Sequence, residues 1–169
     1  MNAGLFLLHG FVGVALVGHG LQKLVVFRFS GTAAYVQSLG FRAPRFLAAV
    51  VIANELIGGA LVALGLLLPL GAAMVGATML VASRTDHRGK GWFITGSGSE
   101  YVITNAVIVL SLAALGGGRY SLDAAFGIAD AGFGWAIGVA VAAGLSAAAV
   151  LGFLIRRPGL EVSRTAEVV

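Results

Sequence analysis

Glu55 lies near the middle of an apolar run, Phe46–Leu68, long enough to cross a lipid bilayer. A carboxylate at that depth costs several kcal/mol unless it is protonated, paired or facing water, so intramembrane acids mark function or a specific partner. The first apolar run supplies candidate partners. His19, Gln22 and Lys23 stand at i, i+3 and i+4, on one side of a helix. His19 and Lys23 could donate hydrogen bonds to the carbonyls of a quinone headgroup, and a buried carboxyl can hold or pass a proton when such a group is reduced. The competing reading is a structural staple, in which Glu55 and Lys23 or His19 neutralise each other between helices. Neighbouring Asn54 fits a helix–helix contact better than a site.

The elements that position these residues follow from composition. The chain is 59% hydrophobic and 11% charged, with 26 glycines in 169 residues. Soluble domains carry about 25% charged residues, so this is an all-α integral membrane protein. There is no cysteine, which excludes disulfides, thiol relays and cysteine-ligated zinc or iron–sulfur centres within the chain. The first residues, Met1–Leu8, lack the basic region of a secretory signal, so the first run is expected to be retained as a span.

Apolar runs occur at Leu5–Leu24, Phe46–Leu64, Leu70–Ser83, Tyr101–Leu115 and Phe133–Ile155. The third and fourth fall short of the 17 or so residues a straight span needs, and should extend a turn towards His87 and Ser99. Ala43-Pro44 and Pro69 mark helix starts, and Gly65–Gly71 reads as a tight helical hairpin. With five spans and the N-terminus outside, ten of the eleven Lys and Arg fall on the cytoplasmic side, leaving only Arg119 outside. That asymmetry favours N-out, C-in. His19 then lies about 7 Å, and Glu55 about 13 Å, from the inner end of its helix. The loop carrying His87, Trp92 and Phe93 faces the same side, and Glu100 opens the next helix there. The basic residues lie between spans and form no soluble patch, so no nucleic-acid partner is expected despite the high pI.

Other features carry less chemistry. His9 precedes His19 by about 15 Å along the helix and on another face, so the two cannot share a metal, and neither haem nor a catalytic metal is expected. Gly89–Ser99 lacks the order of a phosphate-binding loop and reads as an interfacial loop anchored by Trp92 and Phe93. Arg119–Asp123 reads as an outer turn that could cap the bundle through an Arg–Asp contact. The fifth run has no ionisable residue. Its Gly134, Gly138 and Ala142, with Gly144, Ala148 and Gly152 behind, suit close helix approach to a protein partner or a second copy.

Taken together, several segments in order resemble the DoxX family of small bacterial and archaeal membrane proteins. They are His19-Gly20-Leu21-Gln22-Lys23-Leu24, Glu55-Leu56-Ile57-Gly58-Gly59 with Gly65, and Thr78-Met79-Leu80-Val81. His87, Gly91-Trp92-Phe93, Glu100-Tyr101 and Gly116–Asp123 continue them. The resemblance covers roughly the first 125 residues. It implies a four-helix transmembrane bundle over 1–125, to which this chain adds a fifth transmembrane helix, 126–155, and a cytoplasmic tail, 156–169, in a bacterial plasma membrane. The family is named for a subunit linked to quinone-dependent oxidation of sulfur compounds. The resemblance therefore implies a membrane subunit of a redox assembly, with quinone as the expected cofactor and no self-contained catalytic motif. His19, Gln22, Lys23 and Glu55 would line the headgroup pocket, with His87 and Glu100 at its mouth. Two other classes stay open: a membrane anchor that recruits oxidoreductases, and a small proton-coupled transporter with Glu55 as its exchanging acid.

Overall fold

The computed structural model describes residues 2–128 and 131–155; the tail, 156–169, with Arg156, Arg157 and Arg164, lies outside the described residues. Every apolar run becomes a helix. The first forms α1 (Asn2–Leu21), continued by a π-helical turn, Gln22–Val26. The second forms α3 (Pro44–Ala53), a second π turn (Asn54–Gly58) and α4 (Gly59–Leu64). Between them lies α2 (Arg28–Ser38). Next come α5 (Leu68–Arg84), α6 (Glu100–Leu115), the four-residue α7 (Leu122–Ala125) and α8 (Phe133–Phe153). Three continuous helical stretches, Asn2–Val26, Pro44–Leu64 and Phe133–Phe153, are long and apolar enough to cross a membrane; α5 and α6 are shorter apolar helices. The short runs extend less than expected, α5 stopping at Arg84 and α6 starting at Glu100.

The surface is that of a protein solvated by hydrocarbon. Phe11, Phe46, Ile57, Phe133 and Leu145 point outwards, while the interior is packed with smaller side chains such as Ala48, Ala72, Val75 and Ala113. Without a hydrophobic drive between helices, close packing must hold them, and small residues permit it. At Gly13 a Cβ would collide with the backbone of Ala63 on α4; at Gly59 it would meet Leu16 and Val17 on α1. Gly13→Ala is therefore expected to force α1 and α4 apart and destabilise the fold by about 1–3 kcal/mol. Gly18→Ala, with open space around it, should be neutral or stabilising because Gly is the poorer helix former. Denaturant midpoints of both variants in detergent micelles check this; equal shifts would remove the close-packing account.

Helix α5 is the hub, packing against the second π turn, α4, α6 and α8. Helix α8 lays Ala136, Val139, Ala143 and Ala147 inwards, with Ala143 facing Gly76 of α5. Its other small residues, Gly134 and Gly138, have open space around them. Beyond α8, Phe41 pairs with Ile155, and Arg42 N donates to Leu154 O at 2.7 Å. Helix α8 is thus tied to the other helices at both its face and its end.

The Gly65 hairpin forms as expected, with a more specific construction. Gly65 is left-handed (φ +58°); its N–H donates to Val62 O and that of Leu66 to Leu61 O, closing α4 as a Schellman motif. His9 completes this cap from α1. Fully buried, it sets Nδ1 3.1 Å from both Val62 O and Ala63 O. Its role is the seam between α1 and the end of α4. The expected Arg119–Asp123 contact is not formed. Arg119 instead lies over the Tyr120 ring, 5.4 Å from its centroid, and buried Asp123 accepts from Leu67 N (2.8 Å) and Leu68 N (3.1 Å). Backbone N–H groups at the start of α5 outcompete the arginine because they are fixed and otherwise unpaired.

Candidate functional site

The two charged residues picked out by their depth meet. Lys23 Nζ lies 2.8 Å from both Glu55 carboxylate oxygens. Hydrogen-bond geometry is satisfied at Oε1 alone, so Oε2 has the ammonium beside it but no directed donor. Each partner sits in one of the two π turns. Such turns carry one residue more than an α-turn and recur at functional positions. They leave backbone carbonyls out of the regular ladder, and one is used at once: Thr32 Oγ1 donates to Lys23 O at 2.9 Å. That bond holds α2 beneath the first π turn. A left-handed Arg28 (φ +59°) makes the reversal into α2.

Beside the pair, Asn54 Nδ2 donates to Thr78 Oγ1 at 3.0 Å, and Thr78 Oγ1 donates to Met74 O at 3.2 Å. Asn54 is thus the helix–helix contact expected of it, joining the second π turn to α5. Glu55 is held on a segment braced from both sides. Its side chain is 7% exposed against 25% for Lys23, so the acid is the sealed member and the amine reaches towards the surface.

A cavity of about 390 Å³ opens against this pair, within the range of small-molecule sites. His19, Lys23 and Glu55 line it, as do Tyr101 of α6 and, at the loop end, Asp86 and His87. The His19 and Tyr101 rings stand 5.5 Å apart. The rest of the wall is mainly aliphatic, from Val36, Leu47, Val51, Met79 and Val150 among others. A few convergent polar groups in an apolar chamber fix the orientation of a ligand whose remainder is hydrocarbon.

Gln22 and Glu100 do not belong to the cavity. Gln22 is exposed and does not line it. Positions i+3 and i+4 differ by about 100° around a helix, and the wider π turn rotates Gln22 still further from His19 while keeping Lys23 beneath it. Glu100 turns to the loop, accepting from Ile94 N at 3.0 Å. With Ser99 N to Gly91 O and Glu100 N to Trp92 O, it braces the 3₁₀ turn Ile94–Gly96. Trp92 and Phe93 stay exposed on that loop.

The loop end contains groups that the apolar runs did not single out. Tyr35, on α2, lines the cavity with Asp86 and His87. Burial and then the Asp86 carboxylate push the Tyr35 hydroxyl up to about 12, so it remains a donor. Desolvation acts to raise the Asp86 carboxyl, but the Tyr35 hydroxyl, Lys90 and His87 outweigh it and leave Asp86 below its ordinary carboxylate value. Lys90 Nζ is 3.3 Å from Asp86 Oδ1, one turn away. The signal in the sequence was the spacing of Thr32, Ala33 and Val36, which form the buried face of α2, and the adjacency of Asp86 to His87.

The sequence profile of the DoxX family matches residues 4–88. No curated protein and no solved structure matches the chain. The match spans α1 to the end of α5 and so includes both π turns, the Lys23–Glu55 pair and the Asp86–His87 step. The chain is a membrane protein of the DoxX family.

Proposed function

We propose that the cavity binds the headgroup of a membrane quinone and that the chain serves as a subunit of a membrane redox assembly. The observation that carries this is a buried Lys23–Glu55 pair lining an apolar cavity, with Oε2 of the acid lacking a directed donor. A quinone fits that donor set. Lys23 has three donor hydrogens, more than Glu55 takes up, and His19 lines the same space. A quinone, when bound, accepts electrons and protons at its two carbonyl oxygens; the chain's own residues orient those oxygens and hold protons near them. The aliphatic wall suits the isoprenoid tail. Family membership supports the same reading. We place the assembly in a bacterial plasma membrane with five spans and the N-terminus outside, an orientation supported by the Lys and Arg asymmetry.

The test is direct. Protein purified in mild detergent should carry quinone in its extracted lipids, or bind added decylubiquinone. Glu55→Gln should lose at least about tenfold in affinity, as expected when a hydrogen bond to a charged group is lost. Wild-type protein that neither retains quinone nor binds decylubiquinone would sink the proposal.

A further inference from the structure

Asp86 and His87 lie two and three residues past the end of α5 and line the same cavity as the Lys23–Glu55 pair. Thr78, which holds Asn54 next to Glu55, is about 9 Å along α5 from Arg84. His87 Nδ1 lies 2.7 Å from Ser97 O. A carbonyl only accepts, so Nδ1 carries a hydrogen, and Nε2 is the nitrogen that can gain and lose a proton. Nε2 stands 3.9 Å from Asp86 Oδ2, within ion-pair reach of the imidazolium. The Asp86 side chain is 32% exposed and that of His87 15%, against 7% for Glu55. Asp86 at the loop end is therefore more open than the acid beside the ligand site.

We propose that His87 and Asp86 form a proton-exchange port that serves Glu55 through the cavity. This rests on the reading of the cavity as a proton-coupled quinone site. Hydronium in the interfacial water gives a proton to His87 Nε2 and becomes water, and Asp86 holds the imidazolium formed. The imidazolium passes that proton to water in the cavity, which delivers it to the Glu55 carboxylate. His87 returns to the neutral form, the carboxylate becomes a carboxylic acid, and Lys23 keeps its charge. A cavity of about 390 Å³ has room for a chain of waters. The other groups around the path are accounted for. Lys90 and Tyr35 hold Asp86, Glu100 is turned to Ile94 N, and the His19 and Tyr101 rings stand together on the cavity wall.

The port is tested by the rate of Glu55 protonation after an acid pH jump, followed by time-resolved infrared spectroscopy on protein in micelles. The carboxylate band that Glu55→Gln removes reports this group alone. His87→Gly and Asp86→Asn are expected to slow its protonation at least tenfold without moving the equilibrium midpoint. Free imidazole should restore the rate in His87→Gly, which a merely structural role would not allow. Unchanged rates, or slowed rates that imidazole leaves slow, overturn the port. If circular dichroism shows His87→Gly unfolded, Asp86→Asn with Asp86→Glu as its conservative rescue decides the matter by the same rate. Decylubiquinone binding in the same preparations separates the two readings. Slowed protonation without quinone binding removes the quinone and keeps the port; tight binding with unchanged rates removes the port alone.

Discussion

Lys23→Met is expected to destabilise the protein by about 3–5 kcal/mol, the loss typical when one member of a buried ion pair is left alone. The double variant Lys23→Met/Glu55→Leu should recover most of it. The reason lies in the unequal burial of the partners. Glu55 is 7% exposed with its Oε2 already lacking a directed donor, so removing the ammonium leaves a carboxylate with neither water nor a counter-charge. Lys23 is 25% exposed, and its flexible stem can carry the ammonium outwards when the acid is removed. Glu55→Leu alone should therefore cost less than Lys23→Met alone. Equilibrium unfolding of the three variants in mixed micelles, followed by tryptophan fluorescence, gives the coupling between them. Should the double variant be as unstable as Lys23→Met, the lone carboxylate is not the source of the loss.

That asymmetry also bears on function. Replacing a buried pair by apolar residues of similar size is often neutral or stabilising, so the pair is not required merely to hold the helices. Gly13, Gly20 and Gly59 already bring the helices carrying Lys23 and Glu55 into close contact. A stable double variant that has lost quinone would separate holding the bundle from serving the cavity.

The helices and the central pair were legible because membrane burial leaves a strong mark on sequence. An apolar run long enough to span announces itself, and a charge within one stands out against it. His19 and Lys23, four residues apart, could be placed on one face towards Glu55 from helical geometry alone. Gln22 could not be sorted from them, because the π turn that rotates it away has no signature in residue type. Helix α2 was hidden for a different reason. Its apolar residues are few and its length short, so Arg28–Ser38 falls outside the apolar runs, and Tyr35 with it. Glu100 was placed at the cavity mouth by proximity in sequence to the loop, but the 3₁₀ turn offered a nearer unpaired amide at Ile94. His9 was set aside because it shares no face with His19. That reasoning holds for a shared metal and says nothing of backbone carbonyls on another helix.

Asp123→Ala is expected to destabilise the protein by about 3–4 kcal/mol, comparable to the loss at Lys23. The carboxylate is 1% exposed. Its removal leaves the part-buried amide of Leu67 and the buried amide of Leu68 without this acceptor, at about 1–3 kcal/mol for each unsatisfied group. Leu67 is itself left-handed (φ +44°), a conformation that a non-glycine residue keeps only where its surroundings enforce it. Asp123 enforces it from both directions, since its own N–H donates to Gly65 O at 2.9 Å. Asp123→Asn should recover less than half, because an amide offers one acceptor where two N–H groups converge and turns its NH₂ against the other. Arg119→Ala is expected to stay within about 1 kcal/mol, the worth of an exposed cation–π contact. Amide exchange at Leu67 and Leu68 should accelerate in the Asp123 variants and stay slow in Arg119→Ala. If Arg119→Ala instead matches Asp123→Ala in both stability and exchange, the Arg119–Asp123 turn is held by an Arg–Asp pair after all. The α4–α5 hairpin, and with it the hub helix that carries Thr78 to the cavity, would then owe its position to a surface charge.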